Sequence, residues 1–455
     1  MTPEVKAERI SPLEKIGYGL GDTASNVVFQ TVMMFMAFFY TDVFGISAAA
    51  MGTLFLVVRI IDAVTDPIMG AICDRTETKW GKFRPYLLWL SVPYAVIAVL
   101  AFTTPDLSAN GKLIYAYITY TLLMIIYTAI NIPYCALGGV ITADTGERVS
   151  LNSYRFFLAT AGGVLVAATT LYFVEFFGQG DDQKGYQMAM AILAGLSILM
   201  FLASFFLTKE RIVQATESAS SFWTDMKYLL QNDQWRVVAA LNFVLLIPLV
   251  IRGASAIYYL NWYAGREDLV SAFLTAGMLA AMVGAAFASP LTKRLTKVQS
   301  YIMIQIVMAV VSAGMFFLPA DNIVLIFVLF IIVQFFGQMA SPILWTMMAD
   351  TVEYGEYKTG RRITGLVFSG ALFTLKLGMA LGGAIMGWLL AVYGYQSEAT
   401  SQTPEAIGGI VLIFTVVPAI GHLIVAGIVS RYKLDKKRCE EIRVELDRRA
   451  AGASA

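Results

Sequence analysis

The sequence predicts an all-α membrane protein with twelve transmembrane helices in two six-helix halves. Three observations support this fold class: the composition, ten long uncharged stretches, and the uneven distribution of Lys and Arg. Apolar residues (AVILMFWYC) make up 58% of the 455 residues, and charged residues only 14%. Because a soluble protein needs about 25% charged residues to cover its surface, we expect a lipid bilayer to surround most of this chain.

The composition also excludes several classes of function. His422 is the single histidine, which excludes catalysis by histidine and sites with several histidine ligands. The cysteines, Cys73, Cys135 and Cys439, are too few and too scattered for a disulfide framework or a zinc site. A net charge of +1 predicts no nucleic-acid partner. The charged segment at residues 1–16 predicts no cleavable signal peptide.

Long apolar regions give the number of predicted spans. Ten stretches without Asp, Glu, Lys or Arg are at least 19 residues long, and a spanning helix needs about 20 residues. These stretches are 23–41, 85–105, 113–143, 156–174, 185–208, 269–292, 298–320, 322–349, 377–397 and 406–430. Two further apolar regions, 50–73 and 237–263, contain charges. The total is twelve spans.

Basic residues in the connections predict the orientation. The side that holds the N-terminus carries 27 Lys and Arg residues, whereas the opposite side carries only Lys112, Lys184 and Arg266. Basic residues concentrate in short cytoplasmic loops. We therefore expect both termini in the cytoplasm and an even number of spans.

The longest polar connection and a repeated tripeptide predict that the chain has two halves. Residues 209–235 separate six predicted spans on each side, which gives an N-terminal half (1–208), a middle loop (209–235), a C-terminal half (236–430) and a cytoplasmic tail (431–455). Within the middle loop, 222–230 is expected to form an amphipathic helix on the membrane surface. Asp144 follows the fourth span, and Asp350 follows the tenth, each inside the same Ala-Asp-Thr tripeptide. Two six-helix halves are the major facilitator architecture.

Several charged residues are candidates for structural or gating contacts. Gly70 followed by Asp74 and Arg75, with a basic cluster after them, looks like the loop signature of facilitators. A stop signal for the membrane explains the basic residues but not this spacing. The candidates are Arg59, Asp74, Arg75, Asp144, Asp350 and Arg362.

Two carboxylates inside the second span are the sharpest feature of the sequence. Asp62 and Asp66 are four residues apart and therefore lie on one helix face. A carboxylate in hydrocarbon is costly, so this face must meet protein or a water-filled cavity. With Thr65 nearby, the pair predicts either a site for a hard cation or a shared proton. The alternative is a structural network in which Arg59 neutralises Asp62.

Other polar groups in the spans are candidate ligands for a small molecule. Asp22 and Asn26 share a face of the first span, and Thr128 and Asn131 share a face of the fourth. Lys376 lies near the middle of the eleventh span, whose helix we expect to begin near residue 363. The alternatives are interhelical hydrogen bonds for the amides and a lysine that reaches the interface. Arg252 in the seventh span fits a cavity role and a structural role equally.

Four passages resemble the glycoside-pentoside-hexuronide:cation symporters, the melibiose permease relatives within the major facilitator superfamily. They are GYGLGD at 17–22 with FYTDV at 39–43, RIIDAVTDP at 59–67, WGKFRP at 80–85, and ADTVEYG at 349–355. The resemblance covers essentially the whole chain. It looks closest to permeases grouped with use of α-xylosides.

The resemblance implies uptake of a glycoside coupled to Na⁺, Li⁺ or H⁺. Asp62, Asp66 and Thr128 match the cation-site residues of the family, with Thr65 where the melibiose transporters have an asparagine. It also places Arg155 and Lys376 in or near the sugar cavity. The melibiose transporters have aspartates as sugar ligands where this chain has Asn26 and Asn131, which disfavours melibiose itself. Together with Asp22 and Tyr134, which the sequence itself suggests, these four residues form the predicted sugar site. Cys135 replaces the aromatic residue that stacks on the sugar.

We therefore expect a secondary active symporter of a sugar, an α-xyloside or another pentoside being the expected substrate class, driven by Na⁺ or H⁺. It is expected to be a monomer that binds membrane lipid, no nucleic acid and no cofactor. The alternatives are an integral-membrane enzyme, for which the sequence offers no catalytic constellation, and a channel. A primary pump is excluded because the chain lacks a Walker-type phosphate-binding segment.

Overall fold

The computed structural model describes residues 10–142, 145–212, 222–361, 363–397 and 399–453, and within them the chain forms sixteen α-helices and no β-strand. The N-terminal helices are α1 (Pro12–Phe38), α2 (Ala48–Asp74), α3 (Arg84–Ala101), α4 (Ala109–Ile141), α5 (Thr145–Gly178) and α6 (Asp182–Leu207). They continue with α7 (Phe222–Gln231), α8 (Asp233–Tyr258), α9 (Val270–Ala286), α10 (Ala288–Arg294), α11 (Lys297–Met315) and α12 (Ile323–Thr359). The last four are α13 (Thr364–Val392), α14 (Pro404–Phe414), α15 (Val416–Val429) and α16 (Lys436–Ala453).

Side-chain caps explain where many of these helices begin. Ser11 caps α1 by accepting a hydrogen bond from the backbone N–H of Glu14, with Pro12 in the first turn. Ser47, Ser108, Asn232 and Thr403 cap α2, α4, α8 and α14 in the same way. Each cap satisfies a backbone donor that the first turn leaves without a partner. Helix starts that follow polar loops are thus encoded locally.

The count of spans depends on α2. Among the described residues, eleven helical segments are long and apolar enough to cross a membrane. At 27 residues, α2 is about 40 Å long, and it is not among these eleven segments. The all-α fold agrees with the sequence prediction, and the twelfth span stays a prediction that rests on this charged helix.

Helix breaks are the main difference between the predicted and the observed spans. The predicted span at 406–430 is two helices, α14 and α15, which meet at Thr415. Pro418 has no N–H to donate to the carbonyl of Phe414 four residues earlier, which accounts for the break. The π-helical turns Phe39–Val43 and Tyr259–Tyr263 end the first and seventh predicted spans, so the two six-span sets share this irregularity.

The chain divides into two compact units. The first comprises residues 1–216, 268–278 and 396–400, and the second comprises residues 217–267, 279–395 and 401–455. In the first unit, α1 packs against α5 and α6, α3 packs against α4 and α6, and α2 packs against α4. The predicted ends of the N-terminal half, the middle loop and the C-terminal half, at residues 208, 235 and 430, remain predictions.

In the second unit, α8 packs against α13 and α15, and α11 packs against α12 and α15. Its core includes Leu241, Tyr301, Ile304 and Met347, all buried. The predicted helix of the middle loop is α7, and its Leu229 is buried against Trp235 rather than exposed to lipid. This side of α7 therefore packs against protein.

Candidate functional site

The two carboxylates of α2 lie in different environments. Asp62 is 0% exposed, and its Oδ2 lies 3.5 Å from Nη1 of Arg59, itself 5% exposed. The Arg59 guanidinium also lies over the ring of Phe29, 5.6 Å from the ring centre. Asp66 is only partly buried. One carboxylate thus has a fixed cationic partner, and the other lies nearer to accessible space.

A single hydroxyl joins the two carboxylates. The Oγ1 of Thr128 on α4 lies 2.6 Å from Oδ1 of Asp62 and 3.0 Å from Oδ1 of Asp66. A threonine hydroxyl has only one proton to donate. It can donate that proton fully to one carboxylate at a time, and a proton on a carboxyl group or a cation among the three oxygens would stabilise the other contact. The packing of α2 against α4 brings this arrangement together.

The hydroxyl of Thr65, a predicted cation ligand, bonds to its own helix. Its Oγ1 donates a hydrogen bond to the backbone carbonyl of Asp62, 2.9 Å away. The hydroxyl keeps its lone pairs for an ion, but its proton is directed at its own helix. Thr65 as a cation ligand stays a prediction.

A second polar cluster lies on α1, α4 and α5. Nε of Arg155 lies 2.7 Å from Oδ2 of Asp22, and both side chains are mostly buried. Nη2 of Arg155 also contacts Sγ of Cys135 at 3.6 Å. The amide of Asn26 donates to the backbone carbonyl of Asp22 at 3.0 Å and to its Oδ1 at 3.2 Å. Arg155 thus connects α1 with α4.

Asn131 extends this cluster along α4. Its amide nitrogen lies 3.3 Å from the hydroxyl oxygen of Tyr127, to which it donates, and its Oδ1 lies 3.8 Å from Sγ of Cys135. Three of the predicted sugar ligands, Asp22, Asn26 and Arg155, therefore bond to one another in the first unit, and Cys135 links Asn131 to Arg155. A sugar hydroxyl that binds here would have to replace some of these hydrogen bonds.

Tyr134 is placed differently from an aromatic ring that stacks on a sugar. It is 0% exposed, its hydroxyl donates to the backbone carbonyl of Tyr18 at 2.8 Å, and the two rings stack. A Cβ at Gly21 would lie 2.6 Å from this ring, which explains the glycine on α1. The guanidinium of Arg155 lies over the other part of the ring, 5.1 Å from its centre. Tyr134 thus supports Arg155 from inside the protein.

The remaining predicted residues fall in three groups. Lys376 lies on α13 in the second unit and is partly buried. Asp350 on α12 accepts a hydrogen bond from Tyr432 at 2.9 Å and pairs with Lys297, while Arg75 is exposed at the end of α2. Asp144, Arg362 and the side chain of Asp74 lie outside the described residues.

Sequence reasoning missed Glu210, which organises one end of the first unit. Its carboxylate accepts hydrogen bonds from the backbone N–H groups of Lys82, Phe83 and Arg84 at 2.8, 2.8 and 2.9 Å. It thereby caps α3, where unpaired N–H groups favour an anion. A Cβ at Gly81, whose φ is +111°, would lie 2.5 Å from this carboxylate. The WGKFRP passage is the signal that marks this place, but it does not reveal the partner.

Comparison with known proteins gives a consistent family and fold. The profile of the family described as MFS/sugar transport protein matches residues 17–436. The chain is 46% identical to the inner membrane symporter YicJ of Escherichia coli (strain K12), over 94% of this chain and 93% of that protein. It is 36% identical to the isoprimeverose transporter of Lactiplantibacillus pentosus, over 93% of this chain and 89% of that one. A crystal structure of the nucleoside transporter NupG is similar in fold, with a TM-score of 0.68 at 14% identity, over 92% of this chain and 100% of the other.

Proposed function

The chain belongs to the MFS/sugar transport family, and from this premise we propose that it is a symporter that couples uptake of a glycoside to Na⁺ or H⁺. Membership confirms the sequence prediction of a multi-pass transporter rather than an enzyme. The proposed substrate class is an α-xyloside or another pentoside, and the proposed location is a bacterial inner membrane. Relatives named as an inner membrane symporter and as an isoprimeverose transporter support these finer statements.

The observation that carries the proposal is the hydroxyl of Thr128 between Asp62 and Asp66. Two ionised carboxylates this close repel each other. Binding of Na⁺ or of one proton would reduce this repulsion. The buried Arg59 offsets part of the charge of Asp62, and we propose that the coupling ion binds between the two carboxylates beside Thr128.

Neutralisation explains how an ion gradient can drive a sugar. An uncompensated carboxylate is costly wherever the membrane or protein interior surrounds it. Without a bound ion, the charge at Asp62 and Asp66 therefore disfavours the change between the outward-open and inward-open states. With the ion bound, the transporter can make this change. We propose that residues 1–208 and 236–430 are the two halves that alternate.

The proposed sugar ligands are the polar groups around Arg155. Asp22 already balances the charge of Arg155, so this cluster suits a neutral glycoside better than an anionic one. Hydroxyl groups of a sugar both donate and accept, as do the amides of Asn26 and Asn131. Lys376 of the second unit remains a proposed ligand on the basis of the family resemblance.

Uptake by proteoliposomes tests this function. Purified full-length protein is reconstituted and given radiolabelled methyl α-xyloside or isoprimeverose with an inward Na⁺ gradient, an inward H⁺ gradient, or neither. The proposal predicts accumulation above the external concentration with one of the gradients. Entry that only equilibrates under every gradient would favour a channel or uniporter and would refute coupling.

A further inference from the structure

The second unit contains a buried cation without a counter-charge. Arg252 on α8 is 2% exposed and forms no ion pair with an acidic residue in the described part of the chain. Nη2 donates a hydrogen bond to Oγ of Ser312, and the guanidinium lies over the ring of Phe414, 5.6 Å from the ring centre. Buried Nε and Nη1 have no hydrogen-bond partner. Arginine keeps its proton in proteins, so this charge persists.

The helices around Arg252 carry no carboxylate at its depth. Helices α9, α10, α11, α13 and α15 contain no Asp or Glu. The acidic residue of α8 is Asp233, 19 residues before Arg252 in sequence and thus about 28 Å away along the helix. Glu405 lies in the first turn of α14, nine residues before Phe414. The acidic residues of α12, Asp350, Glu353 and Glu356, follow Phe330, whose ring stacks on Phe414, by 20 or more residues, about 30 Å along the helix. A shift of one turn in any of these helices leaves Arg252 without a carboxylate, so its counter-charge must come from outside them.

One further buried donor without a partner among the described residues, Nε2 of Gln305, lies on the same face of α11. Gln305 is seven residues before Ser312, which places both on one side of the helix. Nδ1 of His422 pairs with Oε1 of Gln305 at 2.8 Å, while Nε2 of both side chains has no partner. Both residues are 0% exposed. The packed faces of α8, α11 and α15 therefore carry several polar groups whose hydrogen-bonding capacity is unused, and the formal charge among them is positive.

We propose that Arg252 is the centre of a binding site for a small monovalent anion of the halide class, chloride in particular. Such an anion neutralises the guanidinium and accepts several N–H donors without a fixed geometry. The ring of Phe414 beneath the guanidinium is apolar and buried, which favours a small spherical ion over a larger oxyanion. This site is separate from Asp62 and Asp66 and does not depend on the sugar that the protein carries.

Thermal unfolding of the purified full-length protein in detergent tests the site without any sugar or gradient. Sodium and ionic strength are held constant while chloride is replaced by gluconate. Chloride is expected to raise the Tm of the parental protein in a saturable manner, by about 3 °C when it is well above its Kd. In Arg252→Met, which removes the charge but keeps a side chain of similar length, the shift is expected to disappear.

Controls decide where the anion acts. Arg431→Met, a substitution of an exposed arginine, should keep the full chloride shift. An equal Tm in chloride and gluconate for the parental protein, or a chloride shift that survives in Arg252→Met, would overturn the proposal. If Arg252→Met does not fold, crystals of the parental protein soaked in bromide give the answer. An anomalous peak beside the Arg252 guanidinium supports the site, and bromide peaks only elsewhere overturn it.

Discussion

Removal of one hydroxyl from Thr128 should weaken cation binding far more than it weakens the fold. Thr128→Val keeps the shape of the side chain and deletes the oxygen that lies 2.6 Å from Asp62 and 3.0 Å from Asp66. A hydrogen bond to a charged group contributes about 1.5–3 kcal/mol. Since the hydroxyl serves both carboxylates, we expect the concentration of coupling ion for half-maximal uptake to rise about 10- to 100-fold.

The assay is initial uptake of an α-xyloside by proteoliposomes at a series of Na⁺ concentrations or pH values. Thr170→Val is the matched control, because Thr170 on α5 is equally buried and its hydroxyl donates to the backbone carbonyl of Val166 in its own helix. Maximal uptake at saturating ion should be retained in both variants. If Thr128→Val shows the parental ion dependence, the hydroxyl between the carboxylates is not part of the ion site, and the reasoning fails.

Three further predictions concern the sugar, the fold and the topology. With the ion saturating, Asn26→Ala and Asn131→Ala should each weaken sugar binding by up to about tenfold, the value of one neutral hydrogen bond; parental affinity in both would place the sugar elsewhere. Glu210→Gln should lower the Tm by a few degrees, because an amide oxygen caps the N-terminus of α3 less strongly than a carboxylate, whereas the same change at exposed Glu175 should have little effect. A cysteine at Ser220 should react with a membrane-impermeant maleimide only after cells are opened, and labelling of intact cells would contradict the predicted orientation.

The sequence was sufficient where the determinants are local. Apolar length identifies the helices, and the four-residue spacing of Asp62 and Asp66 identifies the charged face of α2. The break at Thr415 was not predicted, although Pro418 carries its signal. A continuous apolar run conceals a break, since hydropathy does not depend on whether the backbone hydrogen bonds are intact.

Contacts between distant segments could not be derived from spacing. Thr128 and Asn131 share a face of α4, yet the structure directs one to the carboxylates of α2 and the other to Tyr127. Glu210 reaches the N-terminus of α3 across 126 residues of sequence. Tyr134, expected as a sugar contact, is buried against Tyr18 because α1 and α4 pack closely around glycines. These contacts depend on how the helices pack in three dimensions, which the spacing of residues in the sequence does not reveal.

The Asp66→Asn variant gives the most direct test of ion coupling at Asp62 and Asp66. The test compares two activities of this variant, gradient-driven accumulation of sugar and exchange of sugar across the membrane. Asparagine keeps the size of the side chain and removes the charge that the ion is proposed to neutralise. Proteoliposomes containing this variant should fail to accumulate an α-xyloside under any Na⁺ or H⁺ gradient, yet should still exchange labelled for unlabelled sugar when preloaded. Full gradient-driven accumulation by Asp66→Asn would contradict the account.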